Sequence, residues 1–593
     1  MRFSLFLSVC RQFSKDKVYS TINILGLTVG ISCTILIAGY IAFELGYDRF
    51  YPHYKQIYRV YTDGTWSGKS LRDGNTPYPL AAALAMDYPE LQSVTQCQVF
   101  TNRSVRCGEK HFYEDRFFYA DKNFIDFFGY RVLAGNPKTM LSMPYNLVMT
   151  ESTARRYFGD EDPLGKSVRI ENNFYIDTAT YTVAGIIEDL PSDSHLKIDM
   201  LSSMSTCPPV YRPNNWLGGG FFTYFRIDPA ADLNRLNDKL DKNLILYFAS
   251  DLQKYLNISV EEYKKSGNVF NFRFQPVASI HMNAEISDGI TDHGNARQIY
   301  ILACIAAIIL ILACVNFTNL STVKAILRSK EIGIRKVSGA GRRQIAIQFL
   351  GEVFLHVFAA TGLAVLAVFF LQVPFGRLMD RQINIISPDP WFIIGLIVLM
   401  FLTTIAAGSY PAFLVSSMTP LAAIKGKENK LNQRNFLRSM LVLVQFILSI
   451  TTAIAALTIY RQMIYLEKID PGYNRSEVMV VERTNPLLGK IEPFIQELRN
   501  LPEVKTVSLS SGLFGRKLFQ SVFSPEGRNP DDLMFFHGAS VDYEFAEAYD
   551  LVLKKGRWFS PDFYDSTSIV INENSAKLLG WDEPVGKRLL WLR

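Results

Sequence analysis

Long apolar runs alternate with polar, aromatic-rich stretches along the chain of 593 residues. Each of five runs lacks Asp, Glu, Lys and Arg over more than about 18 residues, enough helix to cross about 30 Å of hydrocarbon. The pattern therefore predicts five membrane-spanning helices. Their predicted bounds are 21–43, 298–322, 349–376, 391–414 and 439–460.

Two long stretches outside the spans, 44–297 and 461–593, are polar and rich in turns, which predicts water-exposed domains of short strands and helices. The sequence thus predicts a polytopic α-helical membrane protein with two α+β extracytoplasmic domains. Hydrophobic residues make up 48% of the chain and charged residues 20%, which is too apolar for an ordinary soluble enzyme. The remaining segments are an N-terminal segment, two linkers and an external loop, at 1–20, 323–348, 415–438 and 377–390.

The net charge of +6 arises mainly beside the membrane. Lys and Arg outnumber Asp and Glu in the segments 1–20, 323–348 and 415–438, which alternate with the exterior segments along the chain. The positive-inside rule therefore predicts a cytoplasmic N-terminus and places both large domains on the outer side. Basic residues at a membrane surface indicate contact with anionic membrane lipid, and we expect no nucleic-acid partner.

The first span is predicted to be a retained anchor. Its apolar run is longer than that of a signal peptide, and no small-x-small cleavage site follows it. Seven cysteines are too few for a disulfide scaffold in a chain of this length. Cys97 and Cys107 flank a predicted hairpin outside the membrane, where they either form a disulfide or stay as free thiols.

The two exterior domains contain a repeated pattern. Residues 150–166 and 572–587 both read E-x-x-A, then Gly, then Pro-x-Gly-Lys, and the fifth span matches the first at the same offset of about 421 residues. A complete second unit would add three more spans after the second domain, giving a product of about 800 residues. Three upstream matches share the offset: Asp121 with Asp542, Phe124 with Phe545, and Gly135 with Gly556.

The linker 323–348 interleaves apolar residues with Lys and Arg as far as Lys336. This pattern predicts that the helix of the second span continues past the membrane boundary and bends along it. The run Ser338-Gly339-Ala340-Gly341 predicts a break before the chain re-enters the membrane. Two interpretations are open: the linker transmits a push from a cytoplasmic partner, or it is a basic helix resting on lipid.

This linker resembles the most recognisable motif of the FtsX-like permease family, which includes the membrane subunits of MacB-type ABC exporters. The motif is the run from Arg328 to Ala340, followed by Gln348-Phe349-Leu350-x-Glu352. The sequence after the first span is similar to the start of a MacB-like periplasmic core domain, and the exit of the fourth span is similar to that of the family. These stretches are Glu44-x-x-Tyr47-Asp48-Arg49-Phe50 and Ser409-Tyr410-Pro411-Ala412 through Lys425-Gly426.

The resemblance implies a membrane subunit in a bacterial inner membrane, with its large domains in the periplasm and a separate cytoplasmic ABC ATPase as partner. ATP and Mg would then bind to that ATPase, and this chain would carry no cofactor. In the family, the element between the second and third spans contacts the ATPase. The residues that this implies for ATPase coupling are Arg328, Glu331, Gly333, Arg335, Lys336, Gly339 and Ala340.

The residues themselves indicate neither an ATP-binding site nor a catalytic site on this chain. The two nearest matches to a phosphate-binding loop have the wrong spacing between their glycines, and both lie in the first exterior domain. The seven histidines are scattered without metal-ligand spacing, and no catalytic Ser elbow occurs. The spans also hold few ionisable groups, in contrast to secondary transporters. We therefore expect neither a metal site nor a catalytic residue.

The sequence thus predicts a non-catalytic permease that couples ATP hydrolysis on another chain to movement of periplasmic domains, for efflux of antimicrobial or peptide-like substrates. A membrane sensor, or an activator of envelope proteins such as lipoprotein-releasing or cell-wall enzymes, is the alternative. A homodimer, a paired permease, a periplasmic adaptor and a protein substrate are each compatible with this prediction. The choice among substrates depends on surfaces of the exterior domains that the sequence does not define.

Overall fold

A computed structural model describes most of the chain. These are residues 17–66, 69–172, 177–216, 218–256, 259–265, 267, 269–290, 292–386, 389–417, 431–474, 476–482, 484, 487, 489–515, 518–527 and 534–592. Cys10 and the end of the fourth-span motif, from Thr419 to Gly426, lie outside them.

The helices include five that are long and apolar enough to cross a membrane, and these are α1, α7, α9, α10 and α11 below. In chain order the α-helices are α1 Lys17–Gly46, α2 Pro79–Asp87, α3 Phe124–Phe128, α4 Glu151–Phe158, α5 Leu233–Asp251, α6 Val260–Lys265, α7 Ala296–Leu327, α8 Ser329–Val337, α9 Arg342–Leu378, α10 Pro390–Ser417, α11 Leu431–Lys468, α12 Ile491–Arg499, α13 Phe545–Ala548 and α14 Glu573–Leu579.

All the strands that the structure describes lie in the two exterior domains predicted from the sequence. They are β1 Ile57–Trp66, β2 Lys69–Asp73, β3 Leu91–Phe100, β4 Arg103–Cys107, β5 Lys110–Glu114, β6 Phe117–Ala120, β7 Val132–Gly135, β8 Asn146–Thr150, β9 Ser167–Asn172, β10 Asp177–Ile187, β11 Met200–Ser203, β12 Phe222–Ile227, β13 Val269–Pro276, β14 Phe519–Pro525, β15 Met534–Gly538 and β16 Leu589–Leu592.

Helices α1, α7, α9 and α10 pack around a shared seam of Leu, Ile, Val and Ala side chains. Small residues let the backbones approach: a methyl group at Gly30 of α1 would lie 2.5 Å from Cβ of Ala313 in α7. Helix α11 contacts α7, where the Asn319 amide donates to Oε1 of Gln445 at 3.1 Å. Outward-facing apolar side chains cover much of these helices, as expected for helices in lipid.

The domain between α1 and α7, which we call the core domain, is built on one 13-stranded sheet. Most neighbouring strands are antiparallel, but β6 with β11 and β8 with β10 are parallel. Because parallel pairs need crossover connections, the strand order departs widely from the chain order. Along the sheet the order is β13-β1-β12-β3-β6-β11-β8-β10-β9-β4-β5, with β2 beside β1 and β7 beside β10.

Helix α5 shows how the sequence builds the hydrophobic core beside one part of this sheet. Asp232 caps its N-terminus by accepting hydrogen bonds from the backbone N of Asn234 and Arg235. Its apolar residues recur every four positions, so they form one face, and this face packs on buried side chains of β1, β12 and β13. The buried residues on that face are Leu236, Leu240, Leu244 and Phe248.

A buried chain of hydrogen bonds anchors the core domain to the end of the first span. Asp48, two residues beyond α1, accepts hydrogen bonds from the backbone N and the ring Nδ1 of His195, at 2.9 and 2.8 Å. The Nε2 of His195 lies 2.9 Å from the Tyr224 hydroxyl on β12. Because all three side chains are buried, separating them would leave unpaired polar groups in an apolar interior. The link therefore holds the core domain to α1.

The second exterior domain contains a three-stranded sheet, β15-β14-β16, and reproduces the local geometry of the first at the repeated positions. Oδ2 of Asp121 accepts from the backbone N of Gln96 at 2.8 Å, and Oδ2 of Asp542 accepts from that of Leu509 at 2.6 Å. The matched glycines all have positive φ: 97° at Gly135 and 86° at Gly556, 65° at Gly159 and 71° at Gly580, and 73° at Gly165 and 84° at Gly586. The predicted fold class, a polytopic helical membrane protein with α+β exterior domains, is confirmed.

Cys97 and Cys107 are free thiols in the structure. The predicted hairpin between them is wrong, because β3, which holds Cys97, pairs with β6 and β12, whereas β4, which holds Cys107, pairs with β5 and β9. Burial raises the pKa of both thiols, most strongly that of Cys97. Both therefore stay protonated and unreactive near neutral pH.

Candidate functional site at the membrane boundary

The linker 323–348 lies at the end of the helical bundle opposite to the core domain. The helix of the second span continues to Leu327, and the predicted bend lies at Arg328, whose φ of −91° and ψ of 8° interrupt the helix before α8 begins. Helix α8 is therefore a separate element of nine residues, Ser329–Val337, between two spans. A turn at Ser338–Gly341 then leads into α9, as the sequence predicted.

Gly339 and Ala340 form the cap that ends α8. The backbone N of Ala340 donates to the carbonyl of Arg335 at 3.0 Å, and that of Gly339 donates to the carbonyl of Lys336 at 3.1 Å. This pair of bonds is the Schellman motif, which needs a left-handed residue after the helix. Gly339 has φ +95°, a conformation in which a side chain is disfavoured. Two of the predicted site residues thus set the direction of the chain between α8 and α9.

A row of charged and polar side chains fastens α8 to α9. Arg328 pairs with Glu331 at 3.5 Å and with Glu352 of α9 at 3.0 Å. Glu331 pairs in turn with Arg335 at 2.7 Å, and Arg335 donates to Oε1 of Gln348 in α9 at 3.0 Å. Burial lowers the pKa of Arg328, but Glu352 and Glu331 outweigh it and raise the pKa overall. The row therefore contains a permanent, partly buried cation.

The other side of α8 contacts the fourth span. Nζ of Lys336 donates to the carbonyl of Ser416 in the last turn of α10 at 2.7 Å. Partial burial, and then the nearby Arg342, lower the pKa of Lys336. Gly333 is buried where α8 faces the bundle. Beneath α8, a small apolar cluster joins α7, α9 and α10 through the buried side chains of Ala325, Ile345 and Val415. Ile332, Ala340 and Phe349 pack against them.

The face of α8 that points away from the bundle carries exposed apolar side chains. Ile334 is 62% exposed and Val337 69% exposed, and Lys330, also exposed, lies one turn earlier on the same face. Apolar side chains on a short, otherwise charged helix mark a surface for contact with protein or membrane. The linker thus has an inner face fixed to three spans and an outer face open to a partner.

The structure describes all seven predicted coupling residues, and their contacts divide them into three groups. Arg328, Glu331 and Arg335 form the charged row, Gly333 and Lys336 face the neighbouring spans, and Gly339 and Ala340 form the cap. Sequence reasoning missed two groups as site residues. These are the partners Gln348 and Glu352, spaced one turn apart on α9, and the outward pair Ile334 and Val337.

Two family models match this chain. The model described as a MacB-like periplasmic core domain matches residues 20–243, and the model described as an FtsX-like permease C-terminal region matches residues 303–420. The second match contains the whole of α8 and its cap. The chain belongs to the MacB/FtsX-like family of ABC transporter permeases. The permease is accordingly an inner-membrane protein with periplasmic domains.

The permease is 26% identical over 287 residues to the macrolide export ATP-binding/permease protein MacB of Bdellovibrio bacteriovorus. This alignment covers 47% of this chain and 38% of that protein. It is 31% identical over 131 residues to the protein of the same name from Campylobacter jejuni. That alignment covers 22% of this chain and 20% of that protein. The chain therefore spans well under half the length of these relatives.

Solved structures of related domains align with part of the permease. A permease domain from Porphyromonas gingivalis is 25% identical, with a TM-score of 0.32, over 38% of this chain and 92% of that one. The periplasmic region of MacB from Actinobacillus actinomycetemcomitans is 16% identical, with a TM-score of 0.26, over 38% of this chain and 90% of that one.

Proposed function

We propose that this chain is the non-catalytic membrane subunit of an export system powered by a separate cytoplasmic ABC ATPase. In this proposal ATP and Mg bind to the ATPase, whose movements push on α8, and the spans carry the push to the periplasmic core domain. The N-terminus and α8 then lie in the cytoplasm. The two-faced structure of α8 carries the proposal, since its outer face offers Ile334 and Val337 to a partner while its inner face is fixed to three spans.

The cargo in this proposal is an antimicrobial or peptide-like molecule. The support is that relatives of this chain are named as macrolide export proteins. The core domain acts on the cargo in the periplasm, so no hydrophilic path through the spans is required. Scarce charges within the described spans suit helices that transmit force more than helices that line a conduit.

The inner face of α8 is tested by reversing one charge of its row. Glu331→Arg places a cation beside Arg328 and Arg335, so it removes two ion pairs and repels the two arginines that contact Glu352 and Gln348 of α9. We expect ATPase to co-purify with this variant from native membranes, while export falls at least tenfold. The double variant Glu331→Arg with Arg335→Glu restores a pair within α8 and regains part of the export. Unchanged export in the single variant contradicts the proposal.

The outer face is tested by Ile334→Asp, which introduces a charge into the surface proposed to meet the ATPase without touching the charged row. We expect co-purified ATPase to fall at least tenfold, because an unpaired carboxylate at an apolar contact is costly. Val210→Asp is the matched control, since Val210 is similarly exposed on the core domain at 56%. Equal ATPase recovery with both variants would show that the ATPase does not dock on this face.

A further inference from the structure

The loop between α9 and α10 is fixed onto the periplasmic end of α9. The backbone N of Arg381 donates to the carbonyl of Gly376 at 2.9 Å, and Oε1 of Gln372 accepts from the backbone N of Ile385 at 3.3 Å. A methyl group at Gly376 would lie 2.7 Å from the carbonyl oxygen of Arg381, so the return of the chain requires glycine at this position. The loop and the helix therefore move together.

The same loop contacts the first span and the core domain. The side chain of Ile385 is buried against α1, where a methyl group at Gly39 would lie 2.7 Å from its Cγ2 atom. The hydroxyl of Ser192, in the core domain, donates to the carbonyl of Gln382 at 3.0 Å. A displacement of this loop would therefore reach α1 and the core domain directly.

Four charged or titratable side chains meet where these elements join, and we call this group the clasp: Glu44, His281, Asp292 and Arg381. Glu44 lies in the last turn of α1, and its Oε2 is 2.7 Å from Nε2 of His281 in the core domain. The guanidinium of Arg381 lies 3.6 Å from Oε1 of Glu44 and 3.5 Å from Oδ2 of Asp292, which precedes α7. The clasp thus connects the end of α1, the loop after α9 and the core domain, including the residues just before α7.

The burial of Glu44 makes the clasp selective for a cation at position 381. Glu44 is 2% exposed, and its carboxylate is met by His281, Arg381 and the Tyr40 hydroxyl, of which Arg381 alone carries a permanent charge. Removing the cation would leave a buried carboxylate under-compensated. A cavity of about 310 Å³ adjoins the clasp and is lined in part by Tyr40, Gln298 and Met379.

We propose that Arg381 is a coupling residue that passes movement of α9 to the first span and the core domain. Helix α9 carries Gln348 and Glu352, the partners of α8, near one end, and it runs unbroken to Pro374, about 50 Å at the usual helical rise. The clasp is then the periplasmic counterpart of the charged row at α8. This inference rests on the proposed function for the source of the movement, but the existence of the clasp can be tested without it.

The first experiment measures whether Arg381 and Glu44 act as a pair. Glu44→Gln, Arg381→Gln and the double variant are compared by thermal unfolding of the full chain in lipid nanodiscs. Each single change takes one partner away from the charge that remains, whereas the double variant removes both charges, so we expect the double variant to lower Tm no more than the more damaging single variant. Arg377→Gln is the matched control, because Arg377 is an exposed arginine in the last turn of α9, four residues before Arg381. Additive shifts in Tm would overturn the clasp.

The second experiment measures coupling in the complex with the ATPase. Hydrogen exchange of residues 280–290 in the core domain is followed with and without ATP, for wild type, Arg381→Gln, Arg381→Lys and Arg377→Gln. We expect Arg381→Gln to abolish the ATP-dependent change while ATPase association and basal ATP hydrolysis persist. Arg381→Lys, which keeps the cation, should retain at least half of the change, and Arg377→Gln all of it.

The outcomes separate this inference from the proposed function. If the wild-type complex responds to ATP and Arg381→Gln responds equally, Arg381 is not a coupling residue, although the proposed function stands. If no ATPase associates with wild type, the proposed function fails, and non-additive Tm shifts would then support the clasp as a contact without its role in coupling. Such an outcome would overturn the inference as stated.

Discussion

Single residues in this permease are explained by the backbone conformation or the partner that each one requires. Gly339 ends α8 because its φ of +95° suits glycine, and the glycines shared by the two exterior domains occupy similar left-handed positions. Asp121 and its counterpart Asp542 each hold a backbone N–H at the same place in their domains. These residue-level requirements explain why the repeat is readable in the sequence at all.

Asp121 gives a prediction about pH. Burial raises its pKa to about 6, against the opposing hydrogen bond from Gln96, compared with 3.8 for an ordinary Asp. The folded state therefore binds the proton more tightly than the unfolded state, so this contribution to stability is complete below pH about 4 and is lost as pH rises through about 6. The loss is at most about 3 kcal/mol.

Asp121→Asn keeps an oxygen acceptor and removes the titration. We expect protection of the β3 amides, measured by hydrogen exchange on the full chain, to fall in wild type relative to the variant as the pH rises from 4 to 7. The exposed Asp126→Asn is the control and should follow wild type. A constant ratio of wild type to Asp121→Asn across this range would refute the prediction.

At the scale of elements, α8 and the close contact of α1 with α7 show what sequence patterns can and cannot provide. The apolar runs predicted the spans, because an unbroken absence of charge over one bilayer thickness needs no knowledge of neighbours. The break at Arg328 and the pairing of Arg328 with Glu352 depend on a helix 24 residues away, which no local pattern contains. The assumed hairpin around Cys97 failed for the same reason, since parallel pairs such as β6 with β11 reorder the sheet.

The cap of α8 predicts an effect of Gly339→Ala. A side chain at φ +95° costs roughly 1–2 kcal/mol, so the last turn of α8 should open more often. We expect the backbone amides at positions 339 and 340 to exchange about tenfold faster in the variant than in the wild type, with both proteins in membranes. Ser338→Ala, one residue earlier with a negative φ, should leave their exchange unchanged. Equal rates in the two variants would mean that the cap does not stabilise α8.

The contact between α1 and α7 predicts that Gly30→Val destabilises the bundle. A Cβ atom at Gly30 would lie 2.5 Å from Cβ of Ala313, so the two helices must separate. Gly362→Val in α9 is the matched control, because a Cβ there meets nothing within 4 Å. We expect Gly30→Val to lower the Tm of the chain in nanodiscs by several degrees and Gly362→Val to change it little. Similar Tm values for both would contradict this packing.

At the scale of the whole molecule, two charged junctions stand at opposite ends of one helix. The row at α8 fixes one end of α9, and the clasp joins its other end to the core domain. The sequence predicted the spans, the exterior domains and the motif of the linker, because each is written in a continuous stretch of chain. It did not predict the clasp, since Glu44, His281 and Arg381 come from three distant segments and their contact exists only in the fold.

The most direct test is whether ATP binding to the ATPase changes hydrogen exchange in the core domain, at the opposite end of the spans. The full chain and its co-purified ATPase are reconstituted in nanodiscs, and hydrogen exchange is measured with ATP and without nucleotide. We expect ATP to alter exchange in α8 and, in the same sample, in the core domain near His281. A change confined to the ATPase and α8, with the core domain unaffected at every time point, would contradict it.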